Sequence, residues 1–266
     1  MDIYIQSRGF EQDYDYRWLQ VGNDGSIQPK LPPIGLTVPS LIDRETPTVV
    51  LERLVDNQLL LLLTGLEPKG RVDFLDRQIR IAMAWVGATT DEPLLRSLAA
   101  SALIDEDYHL LVEQLNQAVG LGGNYGFQVS LPEMKQLITV IRNLQQLSNQ
   151  PPTLTPKIGR NIATLRHELA EELRTCHLPP TPGILLVVTG IKKPEALQEA
   201  GVWRSLSLLV EGESWQDLSP QPWFLPANFQ EGIRSKNPLI WLMVLISILS
   251  YWLASLVKLL SSQKDT

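Results

Sequence analysis

Residues 48–66, TVVLERLVDNQLLLLLTGL, place two apolar runs on either side of Asp56 and Asn57. Asp and Asn favour tight turns, so this dipeptide predicts a hairpin between two strands, although a helix in the first run is an alternative. The second run, Leu59–Leu63, is too continuously apolar for a strand with one face in water. We therefore predict that this strand lies inside a sheet covered on both faces.

The first 88 residues share this strand-and-turn pattern and predict an antiparallel β meander. Short β-prone runs are separated by turn signals such as GNDG at 22–25. Asp73 and Arg77 fall in a turn within residues 71–87, RVDFLDRQIRIAMAWVG, where charged residues are expected between strands. We therefore define residues 1–88 as a β-rich region.

Residues 89–150 change to a helical pattern, with apolar residues three and four positions apart. Asp91 and Pro93 suit the start of one helix. Ser130 and Glu133 form a capping box at the start of another. This part of the chain is therefore predicted as a helical region, and a Pro-rich connection, SNQPPTLTP, follows it.

Residues 155–212 predict a helix followed by a βαβ-like unit. Thr155 as N-cap and Pro156 at the first helical position indicate where the helix begins. The runs ILLVVTG, PEALQEA and SLSLLVEG then predict a strand, a short helix and a second strand parallel to the first. Together the three regions predict an α+β fold.

The C-terminal part of the sequence predicts a membrane anchor. Residues 213–236 are rich in Pro and aromatic residues and are predicted as a juxtamembrane stalk, the alternative being that these aromatics pack on the folded body. Residues 237–257 are 21 consecutive uncharged residues. A helix of that length spans about 31 Å, which matches a hydrocarbon core of roughly 30 Å. We predict one transmembrane helix, with a buried core helix as the alternative, and a short tail at 258–266.

The sequence also predicts the topology of this helix and the face on which it packs. The N-terminal run MDIYIQSRGFEQDYDYRW lacks the basic and apolar segments of a secretory signal, so the simplest arrangement is a cytoplasmic body with a tail anchor. Ser247, Ser250 and Ala254 share one face of the span, where small residues permit close approach of another helix. This face predicts self-association or pairing with a partner; the alternative is that it faces lipid.

Composition excludes several classes of partner and cofactor. The formal net charge is -6, whereas binding to a nucleic-acid backbone needs a concentrated basic surface, so no nucleic-acid partner is predicted. A single cysteine, Cys176, cannot form an internal disulfide. GLGGNYG at 120–126 follows a helix and is typical of a helix stop and turn, not of a phosphate-binding loop. No cofactor is predicted.

The run RHELAEELRTCH has the spacing of a zinc-protease signature. His167 and Glu168 match its first positions, and His177 has the spacing of a third ligand. The second ligand position holds Glu171, and Arg174 replaces the glycine that turns the chain toward the third ligand. The helical pattern places this row opposite the apolar stripe, where Glu171 can pair with Arg174 in solvent.

We therefore assign no catalytic, cofactor-binding or metal residue from the sequence. His167, Glu171 and His177 are kept as the alternative candidates for a metal site. Lys192 and Lys193 lie between a predicted strand and a predicted helix, near the place where α/β units bind ligands; the alternative is a plain surface loop.

The run MDIYIQSRGF…DYRWLQV, the block RVDFLDRQIRIAMAWVG and the terminal apolar span together resemble a group of uncharacterised, C-terminally membrane-anchored proteins of photosynthetic bacteria. The resemblance implies no activity and no catalytic residue, and it implies a plasma or thylakoid membrane as the location.

The sequence therefore predicts a non-enzymatic interaction or signalling-adaptor module whose partners are the lipid bilayer and a protein. The alternative is a membrane-bound, metal-dependent hydrolase that uses His167, Glu168, Glu171 and His177.

Overall fold

One ten-stranded mixed sheet organises the chain. The computed structural model describes residues 1–22, 24–43, 46–143 and 147–218. No helix in these ranges is long and apolar enough to cross a membrane. The predicted transmembrane helix, its packing residues Ser247, Ser250 and Ala254, the tail and the stalk beyond residue 218 lie outside the described residues.

The N-terminal strands form an antiparallel half of the sheet. Two groups of three strands build it, and they meet where the sixth strand pairs with the first. All neighbouring strands are antiparallel, as predicted for this region. The strands are β1 (Asp2–Ser7), β2 (Arg17–Val21), β3 (Ile27–Pro29), β4 (Thr48–Arg53), β5 (Leu59–Leu66) and β6 (Ile81–Gly87).

Strand β5 is buried along its whole length. Asn57 adopts a left-handed conformation with φ of 66° in the turn between β4 and β5, so the predicted hairpin is confirmed. Leu59 and Leu61 belong to the core on one face of the sheet, whereas Leu60 and Leu62 belong to the core on the other face. The prediction of a strand covered on both faces is therefore confirmed.

The central region is helical, as its apolar spacing predicts. Helix α2 is central in this layer, because nine of its ten residues are buried. A short hairpin connects the next two helices, with GLGGNYG at its turn. The elements are α1 (Val38–Leu41), α2 (Glu92–Ser101), α3 (Asp105–Ala118), β7 (Val119–Leu121), β8 (Phe127–Val129) and α4 (Leu131–Asn143).

The C-terminal strands add a parallel part to the same sheet. The predicted βαβ-like unit is confirmed, because its two strands pair in parallel. A third strand that the sequence did not predict joins them in parallel, and a two-residue strand closes the edge. The elements are β9 (Lys157–Arg160), α5 (Ala163–Thr175), β10 (Gly183–Thr189), α6 (Pro194–Glu199), β11 (Arg204–Ser207) and β12 (Gln216–Asp217).

The predicted start of the helix at Pro156 is wrong. Residues 157–160 form β9, and α5 begins only at Ala163. The parallel pairing of β9 with β11 satisfies the backbone of this segment, and that partner comes from a distant part of the chain. A long-range strand partner therefore overrides the local capping signal of Thr155.

Two layers cover the sheet, whose strand order is β12-β9-β11-β10-β4-β5-β6-β1-β2-β3. Helices α2, α3, α4 and α5 contribute to the larger core on one face, and α1 and α6 contribute to the smaller core on the other. Trp215 is half-buried against the larger core, and its Nε1 donates to Glu168 Oε2 at 3.0 Å. For this first aromatic residue of the predicted stalk, the packing alternative holds.

Candidate functional site

The protease-like run lies on α5 as an exposed row. His167, Glu168 and Glu171 are exposed, and Arg174 Nη1 donates to Glu171 Oε1 at 2.6 Å, which confirms the predicted pairing. His177 follows the end of α5, and its ring faces a buried carboxylate. In the part of the chain that the structure describes, no three His, Cys, Asp or Glu side chains are grouped to hold a metal ion. The hydrolase alternative stays a prediction.

That carboxylate belongs to Glu92, the first residue of α2, which is 5% exposed. Its Oε2 accepts a hydrogen bond from Arg53 Nη2 at 3.2 Å. Its Oε1 accepts one from the Leu178 backbone N–H at 2.9 Å and lies 3.2 Å from His177 Nδ1. Arg96 Nη1 lies 3.8 Å from the same oxygen. We call Arg53, Glu92, Arg96 and His177 the Glu92 cluster.

Arg96 completes this cluster and is fully buried. Its Nε donates to Leu173 O at 2.7 Å, and its Nη2 donates to Ser148 O at 2.7 Å. Its Nη1 donates to Asn149 Oδ1 at 3.2 Å. Each guanidinium nitrogen therefore has an acceptor, and the side chain holds the Pro-rich connection against the last turn of α5.

The Glu92 cluster is a structural junction more than a reaction centre. It joins β4, the start of α2 and the segment after α5, and its charges are paired and hydrogen-bonded, as buried charges must be. His177 is its one half-exposed member, at 50%, with Nδ1 directed inward. Sequence reasoning missed the cluster, because its members lie far apart in the chain; a Glu at the start of a buried helix is the signal that points to it.

A cleft of about 250 Å³ lies beside the start of α2. Asp91, Pro93 and Leu94 line one side of it, and Arg142 from α4 lines another. Sites for drug-sized ligands occupy about 300–1,000 Å³, so this cleft is small by comparison. The described residues that line it include neither histidine nor cysteine.

A different surface lies where the carboxyl ends of the parallel strands meet. Ile191, Leu208 and Leu209 are 58%, 54% and 48% exposed there. Lys192 and Lys193 follow Ile191 between β10 and α6, as predicted. We call these five residues the docking surface. In α/β sheets this is the edge at which ligands are commonly bound.

Hydrogen bonds join the two loops that carry the docking surface, which follow β10 and β11. The Leu208 N–H donates to Gly190 O at 3.2 Å, and Ser207 Oγ donates to Lys192 O at 2.5 Å. The Asn161 N–H, just after β9, donates to Ser207 O at 3.0 Å. The exposed side chains therefore stand on an ordered backbone, which reduces the conformational entropy lost when a partner binds.

No protein-family model, curated protein or solved structure matches this chain. The resemblance to anchored proteins of photosynthetic bacteria therefore stays a prediction, and function is inferred from the chemistry of the surfaces. The docking surface combines three exposed aliphatic side chains with two lysines that follow one of them in the chain. Where a surface of this composition meets a partner, burial of the aliphatic side chains stabilises the contact and charges at the rim contribute to specificity.

Proposed function

We propose that the protein is a single-pass, tail-anchored protein of a plasma or thylakoid membrane, with its α+β body in the cytoplasm. Its role is non-enzymatic: it is an interaction or signalling-adaptor module whose body binds a protein partner. The 21 uncharged residues of 237–257 support the anchor.

One observation carries the binding role: three large aliphatic side chains are exposed on two loops that are joined to each other by a backbone hydrogen bond. Exposed apolar side chains that stand alone are common and need no explanation, but a group on a rigid edge marks an interaction site. The adjacent lysines favour a partner with acidic residues around an apolar contact.

The anchor is tested by alkaline extraction of membranes that contain the full chain. We expect the protein to stay in the pellet. Val244→Arg with Ile248→Arg should release it, because each arginine at the centre of a span costs about 2.5–3.5 kcal/mol. The matched control, Gln221→Arg with Asn228→Arg, adds the same charge outside the span and should stay in the pellet. A wild-type protein in the supernatant would end the anchor proposal.

The docking surface is tested with a photo-reactive amino acid at Leu208 in membranes of the producing cell. We expect one covalent adduct of defined mass, which disappears when Ile191→Asp and Leu209→Asp are added. The control places the same amino acid at Leu36, which is 94% exposed but lies in another loop. Equal adducts at both positions would show nonspecific contact and contradict the proposal.

Self-association through the membrane helix is the third part of the proposal. Ala254→Leu enlarges the face shared by Ser247, Ser250 and Ala254, so a membrane two-hybrid reporter signal should fall. Leu245→Phe is the matched control, because it enlarges the opposite face of the same predicted helix. An unchanged signal with Ala254→Leu would remove this route to assembly.

A further inference from the structure

Four arginines lie at the same end of the sheet, where β1 ends, β2 begins and the loop between β5 and β6 lies. Arg8 follows β1, Arg17 opens β2, and Arg71 and Arg77 come from the loop. One buried carboxylate, Asp73, lies among them. The other acidic residues of the loop between β1 and β2 are exposed to water, so the distribution of hydrogen bonds around Asp73 decides which buried arginines are compensated.

Asp73 already forms salt bridges with two of these arginines. Arg77 Nη2 lies 2.7 Å from Asp73 Oδ2, and Arg8 Nη1 lies 3.3 Å from the same oxygen. The backbone N–H groups of Leu75 and Arg77 donate to Asp73 Oδ1 at 2.9 Å and 3.1 Å. The hydrogen bonds from Arg77 lower the pKa of Asp73 to about 2. This carboxylate therefore has little capacity left for the other cations.

Arg71 is buried without an acidic partner among the described residues. It is 4% exposed, and its Nη1 donates to Val119 O. Within the described ranges its Nε and Nη2 find no hydrogen-bond partner, and both atoms are inaccessible to water. Burial lowers the pKa of Arg71, while Tyr16 acts in the opposite direction. Burying a guanidinium whose N–H donors have no acceptor costs free energy. The hydrogen bonding of Arg71 is therefore incomplete in the protein without a ligand.

The open edge of Arg71 has a specific chemistry. The Nε–H and an Nη2–H of arginine form a planar fork that matches two oxygens of a phosphate or carboxylate group. Its other nitrogen is already fixed by the Val119 carbonyl. The fork is therefore pre-oriented for an oxyanion, whereas a single water molecule could accept from it less completely.

Neighbouring groups share this deficit of acceptors. Three further buried atoms have no hydrogen-bond partner in the part of the chain that the structure describes: Arg8 Nε, Arg17 Nε and Ser7 Oγ. The strand register places Ser7 opposite Arg17. Tyr16 lies beside Arg8, with 5.9 Å between the guanidinium carbon and the ring centre. We call Arg8, Arg17 and Arg71 the arginine cluster.

The β7–β8 hairpin covers the arginine cluster. Its first residue, Val119, contacts Arg71, and Tyr125 at its turn lies 5.9 Å from the Arg17 guanidinium carbon. Gly126 approaches Gly9 so closely that a Cβ on it would lie 2.8 Å from the Gly9 Cα. The hairpin therefore contacts two of the three arginines, and it is the element that would have to move to admit a ligand.

We propose that the arginine cluster binds the phosphate group of a ligand, with Arg71 as the bidentate donor and the β7–β8 hairpin closing over the bound group. A phosphate carries close to two negative charges and several acceptor oxygens, which suits three arginines with open donors. The phosphate belongs either to a soluble phosphate compound or to a lipid headgroup. This site is independent of the docking surface and of the anchor.

Thermal unfolding of the full chain in phosphatidylcholine nanodiscs tests the proposal. Inorganic phosphate is compared with chloride at equal ionic strength. At about 100 times its Kd, a bound anion should raise the midpoint by roughly 5–10 °C. Arg71→Lys keeps the charge but loses the fork, and Arg17→Gln removes a cation from the half-buried rim; both should reduce the shift severalfold. Arg160→Gln, an exposed arginine elsewhere, should keep it.

The second arm replaces inorganic phosphate with phosphatidic acid in the nanodisc. A midpoint shift in this arm alone, lost in Arg71→Lys, assigns the site to a lipid headgroup; a shift with inorganic phosphate assigns it to a soluble compound. If neither arm shifts the wild-type midpoint, or if Arg71→Lys and Arg17→Gln respond as the wild type does, the cluster does not bind phosphate. General stabilisation by phosphate appears equally in all variants and is thereby separated.

Discussion

Arg96 and Arg71 are both buried guanidinium groups, but the chain satisfies only the first. Arg96 is fully buried and donates from all three nitrogens to α5 and the connection before β9. Arg71 is 4% exposed and donates to the Val119 carbonyl, while its other two nitrogens have no acceptor among the residues that the structure describes. The hydrogen bonds of Arg96 are therefore satisfied within the fold, whereas those of Arg71 are satisfied only when a ligand is bound.

The difference matters because burying a charge costs several kcal/mol unless the protein compensates it. In the Glu92 cluster, two arginines share a buried carboxylate and several carbonyl oxygens. Beside the arginine cluster, the buried carboxylate of Asp73 is already paired with Arg77 and Arg8. The two arginines are about equally buried, but only Arg96 is compensated, so substitution should have opposite effects on stability at the two positions.

The largest expected effect is at Arg96. Arg96→Met leaves Glu92 with one arginine fewer and orphans the Leu173 and Ser148 carbonyls, so we expect a loss of about 3–5 kcal/mol in the free energy of unfolding. Urea titration of the full chain in detergent measures it. Arg160→Met, at an exposed position, should change stability by less than about 0.5 kcal/mol. A decrease of less than about 1 kcal/mol in the free energy of unfolding of Arg96→Met would contradict the contrast between Arg96 and Arg71.

The opposite sign is expected at Arg71. Without phosphate, Arg71→Met removes an uncompensated buried cation, so stability should stay unchanged or rise by up to about 2 kcal/mol. The same urea titration measures it beside Arg96→Met. A loss as large as that of Arg96→Met would mean that the fold itself satisfies Arg71, and the two clusters would then be equivalent.

A smaller effect should appear in acid at Asp73. Its folded pKa, lowered to about 2, lies below the unfolded value of about 3.9. Stability from this carboxylate is therefore present above about pH 4 and is lost as the pH falls through 2. Thermal midpoints of wild type and Asp73→Asn should differ most at pH 5 and converge near pH 2. A constant difference across this range would contradict the pairing with Arg77.

The smallest effect is expected on the exposed row of α5, where charges stay in water. His167→Ala should change the free energy of unfolding by less than about 0.5 kcal/mol. Elemental analysis of the same proteins tests the hydrolase alternative. Stoichiometric zinc that disappears in His167→Ala would favour a metal centre at His167 and Glu171, and protein without zinc would end it.

Local patterns were sufficient for much of the sheet. Five consecutive leucines predicted a strand covered on both faces, and the turn at Asn57 predicted its hairpin partner. The order of strand, short helix and strand predicted the parallel pair β10 and β11. These features depend on hydrophobic periodicity and turn chemistry, which are visible within a few residues.

The remaining features depend on contacts between distant segments. Thr155 and Pro156 favour a helix start locally, but β11 supplies a strand partner to the next residues. The Glu92 cluster requires Arg53 and His177 to meet Glu92 from 39 and 85 residues away. An arginine with unfilled donors cannot be recognised at all until its neighbours are placed.

Antiparallel pairing between β4 and β10 joins the two halves of the sheet, and it has a consequence for folding kinetics. Arg53 on β4 donates to the carbonyl of Pro179, 126 residues later, so the loop closed by this contact is very long. Non-local pairing of this kind slows folding. During synthesis, the apolar edge formed by Val49–Leu51 stays without its partner strand until β10 has been made. Chaperone capture or aggregation of the nascent chain is therefore expected at this edge.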